Sequence, residues 1–456
     1  MRIDQIKKKL QGSSGLKNVF RISSGTLIGQ AVSFITLPVF TRLYGAEVIG
    51  VWAILNTIAT VVNSFSDAGL IRSIMMEDTE EGMLQVYRVI STIGLGVSIL
   101  SGLAIFGYYT LFPSDDMIVS PWFLGVFILV AVFTLQQTQV CYSWLNRMSE
   151  YKVLMKNPII NNASFGVVGI LLGVLGFKEY GYFIGWMIGQ LLTLVHMKRF
   201  LPKKMFLFRI KTYKAVFKEK KRFVLYQMPT NMITVFKDQL PVMLIRAFFG
   251  TTILGYYSIT VRVLQIPITL LANAMGRVFY QTTTDMKRRG EQLGAFVYKT
   301  LTSVMKVAAV PIILLMSVGD VVLTFFLGEQ WLEAGSMLRI LALQCFFMFL
   351  MTTMQGITIT IEKQQYSMLS SVALSCAIAL SLTAGKFLFN NLNVGLVLLV
   401  VTFVIINILY FCAILKVLHV SRKKYLTHVF AYMGIILAGS ELIRAILYFF
   451  HLVPGL

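Results

Sequence analysis

The chain has 456 residues, of which 57% are hydrophobic and 13% charged, and its mean hydropathy is +0.75. Soluble globular proteins are roughly 45–50% apolar and about 25% charged, so that class is excluded, and the lack of short alternating segments excludes a membrane β-barrel. The 41 Lys and Arg exceed the 20 Asp and Glu by 21; in a soluble chain that would suggest nucleic acid, but apolar runs of about 20 residues, long enough to cross a bilayer core, assign the cations to membrane-flanking loops.

In chain order, a basic cytoplasmic N-terminus over 1–16 precedes a first apolar stretch that is too long for a signal peptide and lacks a small-residue cleavage site, so it reads as an uncleaved helix. Spans are expected over 17–43, 47–69, 85–111, 119–144, 153–176 and 180–199, giving an N-terminal six-helix bundle over 17–199. A basic cytoplasmic linker over 200–222 interleaves Phe206, Leu207, Phe208 and Ile210 with cations, the pattern of a helix lying on an anionic inner leaflet. Spans over 223–248, 253–276, 298–327, 334–360, 366–389 and 393–417 form a second bundle over 223–417. The remainder, 418–456, is a basic loop and one additional span in which Glu441 and Arg444, at i and i+3, are placed to pair internally. The expected class is therefore all-α and polytopic.

The loops fix an orientation. With the N-terminus inside, the cytoplasmic segments hold Lys7, Lys8 and Lys9; Arg147, Lys152 and Lys156; the linker; Lys287, Arg288 and Arg289; and Arg422, Lys423 and Lys424, while the opposite loops carry almost no cations. Cys141, Cys345, Cys376 and Cys412 lie in apolar segments without metal or disulfide spacing and read as small core residues.

Two stretches roughly 205 residues apart echo each other. Leu37-Pro38-Val39, Arg42, Gly45 and Gly50 match Leu240-Pro241-Val242, Arg246, Gly250 and Gly255, and Asp67-Ala68-Gly69 is echoed by Asn273-Ala274-Met275-Gly276. Duplication with an even span count predicts two parallel-repeat bundles around a central cavity.

Polar residues recur at i, i+4, i+7 spacing, which puts them on one helix face. Asn56, Thr60, Asn63 and Asp67 do so in the second span, Ser258, Arg262, Gln265 and Thr269 in the eighth, and Gln227, Asn231, Thr234 and Asp238 in the seventh; Thr26, Gln30 and Ser33 form a shorter stripe in the first. Interhelical hydrogen bonding accounts for hydroxyls and single amides equally well. Charges are costlier, at least about 2.5–3.5 kcal/mol each at mid-membrane, which singles out Lys237, Asp238 and Arg262, with Lys306 a further cation. Lys237 and Asp238 point about 100° apart on a helix and make a poor mutual pair; Asp238 with Arg262 would leave Lys237 facing the cavity. Substrate contacts are therefore expected from Lys237, Arg262, Asp238, Gln227, Asn231, Gln265, Asn56, Asn63, Gln30 and Lys306, ion coupling from Asp238 or Asp67, and gating or membrane-face roles from Arg42, Arg246 and Arg21. Gln136, Gln137 and Gln139 extend the polar surface or serve the core. No nucleotide-binding loop and no H-E-x-x-H occur, and no cofactor, metal or catalytic residue is expected.

Leu37-Pro38-Val39-Phe40-Thr41-Arg42-Leu43-Tyr44-Gly45 with Glu47 and Gly50, Asp67-Ala68-Gly69-Leu70, and Lys237-Asp238 with Phe249-Gly250 and Leu254-Gly255-Tyr256-Tyr257 resemble the signatures of the polysaccharide transporter family, the Wzx-type O-antigen, capsule and exopolysaccharide flippases. The likeness extends to about residue 418. It implies the multidrug/oligosaccharidyl-lipid/polysaccharide exporter fold in a bacterial cytoplasmic membrane, with undecaprenyl-diphosphate-linked oligosaccharide moved to the outer leaflet by alternating access. Implied partners are that substrate, anionic lipids, and a polymerase or glycosyltransferases of the same pathway, without nucleic acid. A multidrug extruder of the same superfamily and a membrane glycosyltransferase, ligase or polymerase are the alternatives. A cavity rich in cations disfavours the first, and the lack of a large external loop disfavours the second.

Overall fold

The computed structural model describes residues 14–77, 79–113, 118–203, 205–206, 210–221 and 223–450, with side chains described from residue 24 onward except that of Ile210. The expectations for Lys7, Lys8, Lys9, Leu207, Phe208 and Arg222, and for the side chain of Arg21, fall outside these. Among the described residues the structure is helical without strands, as hydrocarbon demands of backbone groups that must satisfy one another within a segment. Among the described residues eleven helices are long and apolar enough to cross a membrane. The helices filling the expected sixth and seventh spans are less apolar: Gln190, His196 and Lys198 dilute one, and Asn231, Lys237 and Asp238 the other.

The chain divides into two compact units, 1–239 and 240–456. The division falls later than the expected linker, inside a helix.

Unit 1 contains α1 (Ser14–Leu43), α2 (Ala46–Ser66), a 3₁₀ turn (Ile71–Met76), α3 (Glu80–Leu111), α4 (Pro121–Arg147), α5 (Tyr151–Val174), α6 (Gly181–Lys198) and the short α7 (Ile210–Glu219). The main packings are α1 on α5, α3 on α4 and α5 on α6. Small residues permit these approaches: a Cβ on Gly29 would lie 2.7 Å from the Pro158 carbonyl oxygen, and one on Gly102 2.8 Å from that of Gly125. Gln136 and Gln137 are fully buried. Gln136 Nε2 donates to the Ile90 carbonyl at 2.8 Å and Gln137 Nε2 to Gln136 Oε1 at 2.7 Å, while Gln137 Oε1 accepts from Lys198 Nζ at 2.9 Å. Gln136 and Gln137 thus serve the core, whereas Gln139 is exposed.

Part of the linker packs on protein, while Phe206 stays exposed. Val216 of α7 is buried in a cluster with residues of α3, α4 and α5, and Tyr213 and Phe217 pack against the same cluster. Tyr213, Val216 and Phe217 thus pack on protein, and Lys211, Lys214, Lys218 and Lys221 are exposed.

Past a π turn (Phe223–Gln227), α8 (Met228–Phe249) carries the chain from unit 1 into unit 2. Pro229, which lacks an N–H and crowds the carbonyl four residues back, favours such a widened turn. Unit 2 continues with α9 (Thr251–Pro267), a second π turn (Ile268–Ala272), α10 (Asn273–Arg288), α11 (Leu293–Leu327), α12 (Leu332–Met354), α13 (Ile357–Thr360), α14 (Gln364–Phe387), α15 (Leu392–Val417) and α16 (Arg422–Phe449). The α11–α12 and α14–α15 pairs dominate its packing, α12 also touches α9 and α15, and α16 lies on α11. Trp331, Phe346, Phe347 and Phe349 fill the core.

The internal Glu441–Arg444 pair does not form. Arg444, 3% exposed, places Nη1 2.9 Å from Asp320 Oδ2 and donates to the Ser317 carbonyl, while Glu441 meets Arg339 at 3.5 Å. Neighbouring helices offered opposite charges, so α16 is pinned by charge to α11 and α12. All four cysteines are free; Cys141 and Cys345 are buried as expected, but Cys376 is exposed.

Candidate functional site

The polar stripe of α2 ends in a built turn. Asp67 is buried, and its Oδ1 and Oδ2 accept from the N–H groups of Gly69 and Ile71, both at 3.0 Å. Ala68 and Gly69 have φ of 50° and 73°, a left-handed pair that reverses the chain into the 3₁₀ turn. Any Cβ on Gly69 would come within 2.8 Å of the Phe223 carbonyl oxygen and the Met228 nitrogen. The acidic-small-Gly signature is thus a turn that seats the start of α8 against α2. Asp67 thus caps the turn, each of its oxygens accepting one backbone N–H. Asn63, also buried, accepts from Ser66 Oγ at 3.0 Å.

Beyond the turn, three polar side chains meet. Arg72 Nη1 donates to Gln227 Oε1 at 3.2 Å, and Gln227 Nε2 donates to Asn231 Oδ1 at 2.7 Å. Gln227 and Asn231 were expected together; Arg72 was not, because the left-handed turn and 3₁₀ segment break the helical phase that would have linked it to the stripe. An ion pair braces the same end: Lys220 Nζ lies 2.6 Å from Glu77 Oε1 and 2.7 Å from Glu219 Oε1. Arg147 Nη2 donates to the Glu77 carbonyl at 3.0 Å. Burial opposes the charge on Lys220, but the hydrogen bonds and charges of Glu219 and Glu77 outweigh it and raise the lysine's pKa above its ordinary value.

Farther along α8, Thr57 Oγ1 donates to Gln239 Oε1 at 2.7 Å. Lys237 and Asp238 do pair, with Nζ 3.2 Å from Oδ1: the long lysine stem spans the angular step that argued against the contact. The Asp238 side chain is 58% exposed and that of Lys237 27%. Asn56 and Gln30 are half-buried and Arg42 is exposed. In unit 2, Gln265 and Lys306 are exposed, and Arg246 and Arg262 are half-buried and engaged. Among the described residues no group of three or more His, Cys, Asp or Glu is arranged to hold a metal.

The chain is similar to several known proteins. A model of the polysaccharide biosynthesis protein family matches residues 39–336. The succinoglycan biosynthesis transport protein ExoT of Rhizobium meliloti (strain 1021) is 22% identical over 319 residues, 68% of this chain and 62% of that protein. The teichuronic acid biosynthesis protein TuaB of Bacillus subtilis (strain 168) is 24% identical over 206 residues, 44% of this chain and 41% of that protein. The matches thus span less than two thirds of either relative. The lipid II flippase MurJ in an inward closed conformation superposes with a TM-score of 0.67 at 14% identity, covering 94% of this chain and 99% of MurJ. An inward-facing multidrug resistance MATE family transporter gives 0.59 at 15% identity, covering 88% and 99%. The fold is therefore that of the MurJ and MATE transporters. With the family model matched over residues 39–336, well over half its length, this multi-pass membrane chain belongs to the polysaccharide biosynthesis protein family.

Proposed function

We propose that the chain flips a lipid-linked oligosaccharide, carried on undecaprenyl diphosphate, from the cytoplasmic to the outer leaflet of a bacterial inner membrane. The carrying observation is the charge balance of the polar helix faces. On α8 Lys237 stands with amides and hydroxyls and is paired with the exposed Asp238, on α9 Arg262 stands among hydroxyls and an amide, and Asp67 on α2 is buried and capped by backbone N–H groups. Helix faces of this composition suit a diphosphate and sugar hydroxyls. They suit a lipophilic cation poorly, since that ligand wants acidic counter-charge and aromatic faces. The family and the names of its relatives, which concern exopolysaccharide and teichuronic acid, support the same reading.

In this mechanism the polyprenyl tail stays in hydrocarbon while the head group passes along the polar faces. Lys237 and Arg262 bind the diphosphate, and Asp238 holds Lys237 or takes a coupling cation. Each negative charge moved outward across 100 mV, inside negative, gains about 2.3 kcal/mol, so the roughly two charges of a diphosphodiester gain up to about 4–5 kcal/mol without nucleotide. Reconstitution in liposomes tests this. Flipping is expected to follow an imposed potential without ATP, and Lys237→Glu and Arg262→Glu are each expected to abolish it. Flipping that ignores potential and ion gradients but requires ATP overturns the mechanism.

A further inference from the structure

We propose that Arg72, braced by Gln227 and Asn231, receives the diphosphate of the lipid-linked substrate at the linker-bearing end of unit 1. The inference rests on the flippase reading and adds to it a binding residue and the chemistry that residue recognises. The loop charges place this end in the cytoplasm, where the substrate is made.

The hydrogen-bond order is directional. Asn231 Oδ1 accepts from Gln227 Nε2 at 2.7 Å, which turns Gln227 Oε1 toward Arg72 Nη1 at 3.2 Å. The guanidinium is thereby held by one of its five N–H donors, and the rest of the fork is left for a planar, bidentate anion contact. The Asn231 carbonyl is occupied, so its amide donor points away from Gln227.

Charge supports the assignment. Arg72 is exposed, and among the described residues no carboxylate hydrogen-bonds to it, although its charge acts on the neighbouring Asp67. Its acidic neighbours are committed: the Asp67 oxygens accept from Gly69 and Ile71, and Glu77 holds Lys220. Arg444 is the contrast. That arginine is buried against Asp320 and has a structural partner. Arg72 has a brace and an open face, as a binding arginine does.

Position supplies the rest. Arg72 follows the Asp67–Gly69 turn, whose glycine lies against Phe223 and Met228, and Gln227 and Asn231 lead along α8 toward Lys237. A diphosphate captured at Arg72 would have the next cation on the same helix.

The test is binding of undecaprenyl diphosphate, undecaprenol and phosphatidylglycerol to the full-length protein in nanodiscs, with size exclusion confirming folded protein. The wild type is expected to prefer the diphosphate to the alcohol. Arg72→Gln should weaken diphosphate binding about 10- to 100-fold, as expected for loss of a charge-assisted contact, and Arg72→Lys should recover part of it. Gln227→Leu, which keeps the cation and removes its brace, should cost about 3- to 10-fold and decides the matter if Arg72 variants do not fold. Wild-type preference with unchanged binding in Arg72→Gln or, where that variant does not fold, in Gln227→Leu overturns this inference and leaves the flippase reading standing. Equal competition by phosphatidylglycerol makes the site a headgroup anchor and overturns the substrate assignment. A wild type that binds diphosphate no better than alcohol overturns both.

Discussion

Helices α1 and α8 carry the same Leu-Pro-Val signature and an arginine near the end, yet they are held differently. α1 buries a seam of Gly25, Gly29, Ser33, Leu37, Phe40 and Thr41 against α5: Phe40 stacks on Phe165 at 4.7 Å between ring centroids, and just past the helix Tyr44 OH donates to the Gly169 carbonyl at 2.6 Å. In α8 only Ile245 is buried. The end of α8 touches α14, with Phe248 5.6 Å from Phe387 and Lys386 over Phe249 at 5.5 Å, while Met232, Ile233 and Phe236 along its middle stay exposed. Both helices end shortly after the shared signature, and they differ in the residues ahead of it. Glycines at i and i+4 let two backbones meet. Methionine, isoleucine and phenylalanine at the corresponding turns of α8 keep neighbours away. α1 is closely packed against its neighbour, and the middle of α8 is exposed.

The sharpest way to break this comparison is to fill the seam. Gly29→Leu should drive a side chain into the Pro158 backbone and cost roughly 3 kcal/mol or more, read as loss of monodisperse protein or a large drop in Tm, whereas Met232→Leu in α8 should leave both unchanged. Equal tolerance at the two sites would dissolve the distinction between the closely packed helix and the exposed one.

Next in size is the charge lock on α16. Arg444→Met strands Asp320 and should destabilise by about 3–5 kcal/mol. Joint replacement with Asp320→Leu should recover most of that, because two apolar groups need no partner. A double variant as unstable as the single one would show that α16 depends on packing instead.

Hydrogen exchange addresses the contrast directly. Amides over 230–243 should exchange at least about 100-fold faster than those of α1 over 25–40, the spread expected between locally opening and core segments. Comparable protection would mean that α8 is locked by contacts its exposed face does not reveal.

The smallest expected effect is at the Lys220 brace, which anchors the root of α8. Because the pKa of Lys220 is raised in the folded protein, its contribution is complete below the ordinary lysine value and is lost as pH rises through the raised one. The gain is about 1 kcal/mol or less. Alkaline loosening of α7, followed by proteolysis of the linker, should vanish in Lys220→Met; a variant with the same alkaline profile would assign the loosening to another group.

The sequence carried the class, the helix order and much of the cast. Apolar runs set by bilayer thickness are local information, so the eleven most apolar helices and the all-α fold were legible. The i, i+4 periodicity brought Gln227 and Asn231 together correctly, since a shared helix face follows from 3.6 residues per turn. Periodicity failed where the helix did. Two left-handed residues at Ala68 and Gly69 and a 3₁₀ turn carried Arg72 to Gln227, and no phase count crosses such a break.

Composition alone determined that this chain lives in a membrane and which residues its helices contain, because both follow from transfer free energies and local geometry. Tertiary structure decided what each polar side chain is for. Asp67 became a cap, Glu441 and Arg444 turned to separate partners on α12 and α11, Val216 of α7 joined the core of unit 1, and Arg72 kept an open fork. These outcomes depend on which partner stands within about 3 Å, the reach of a hydrogen bond. That distance is set by helices far apart in sequence, and a reading of the chain one segment at a time does not contain it.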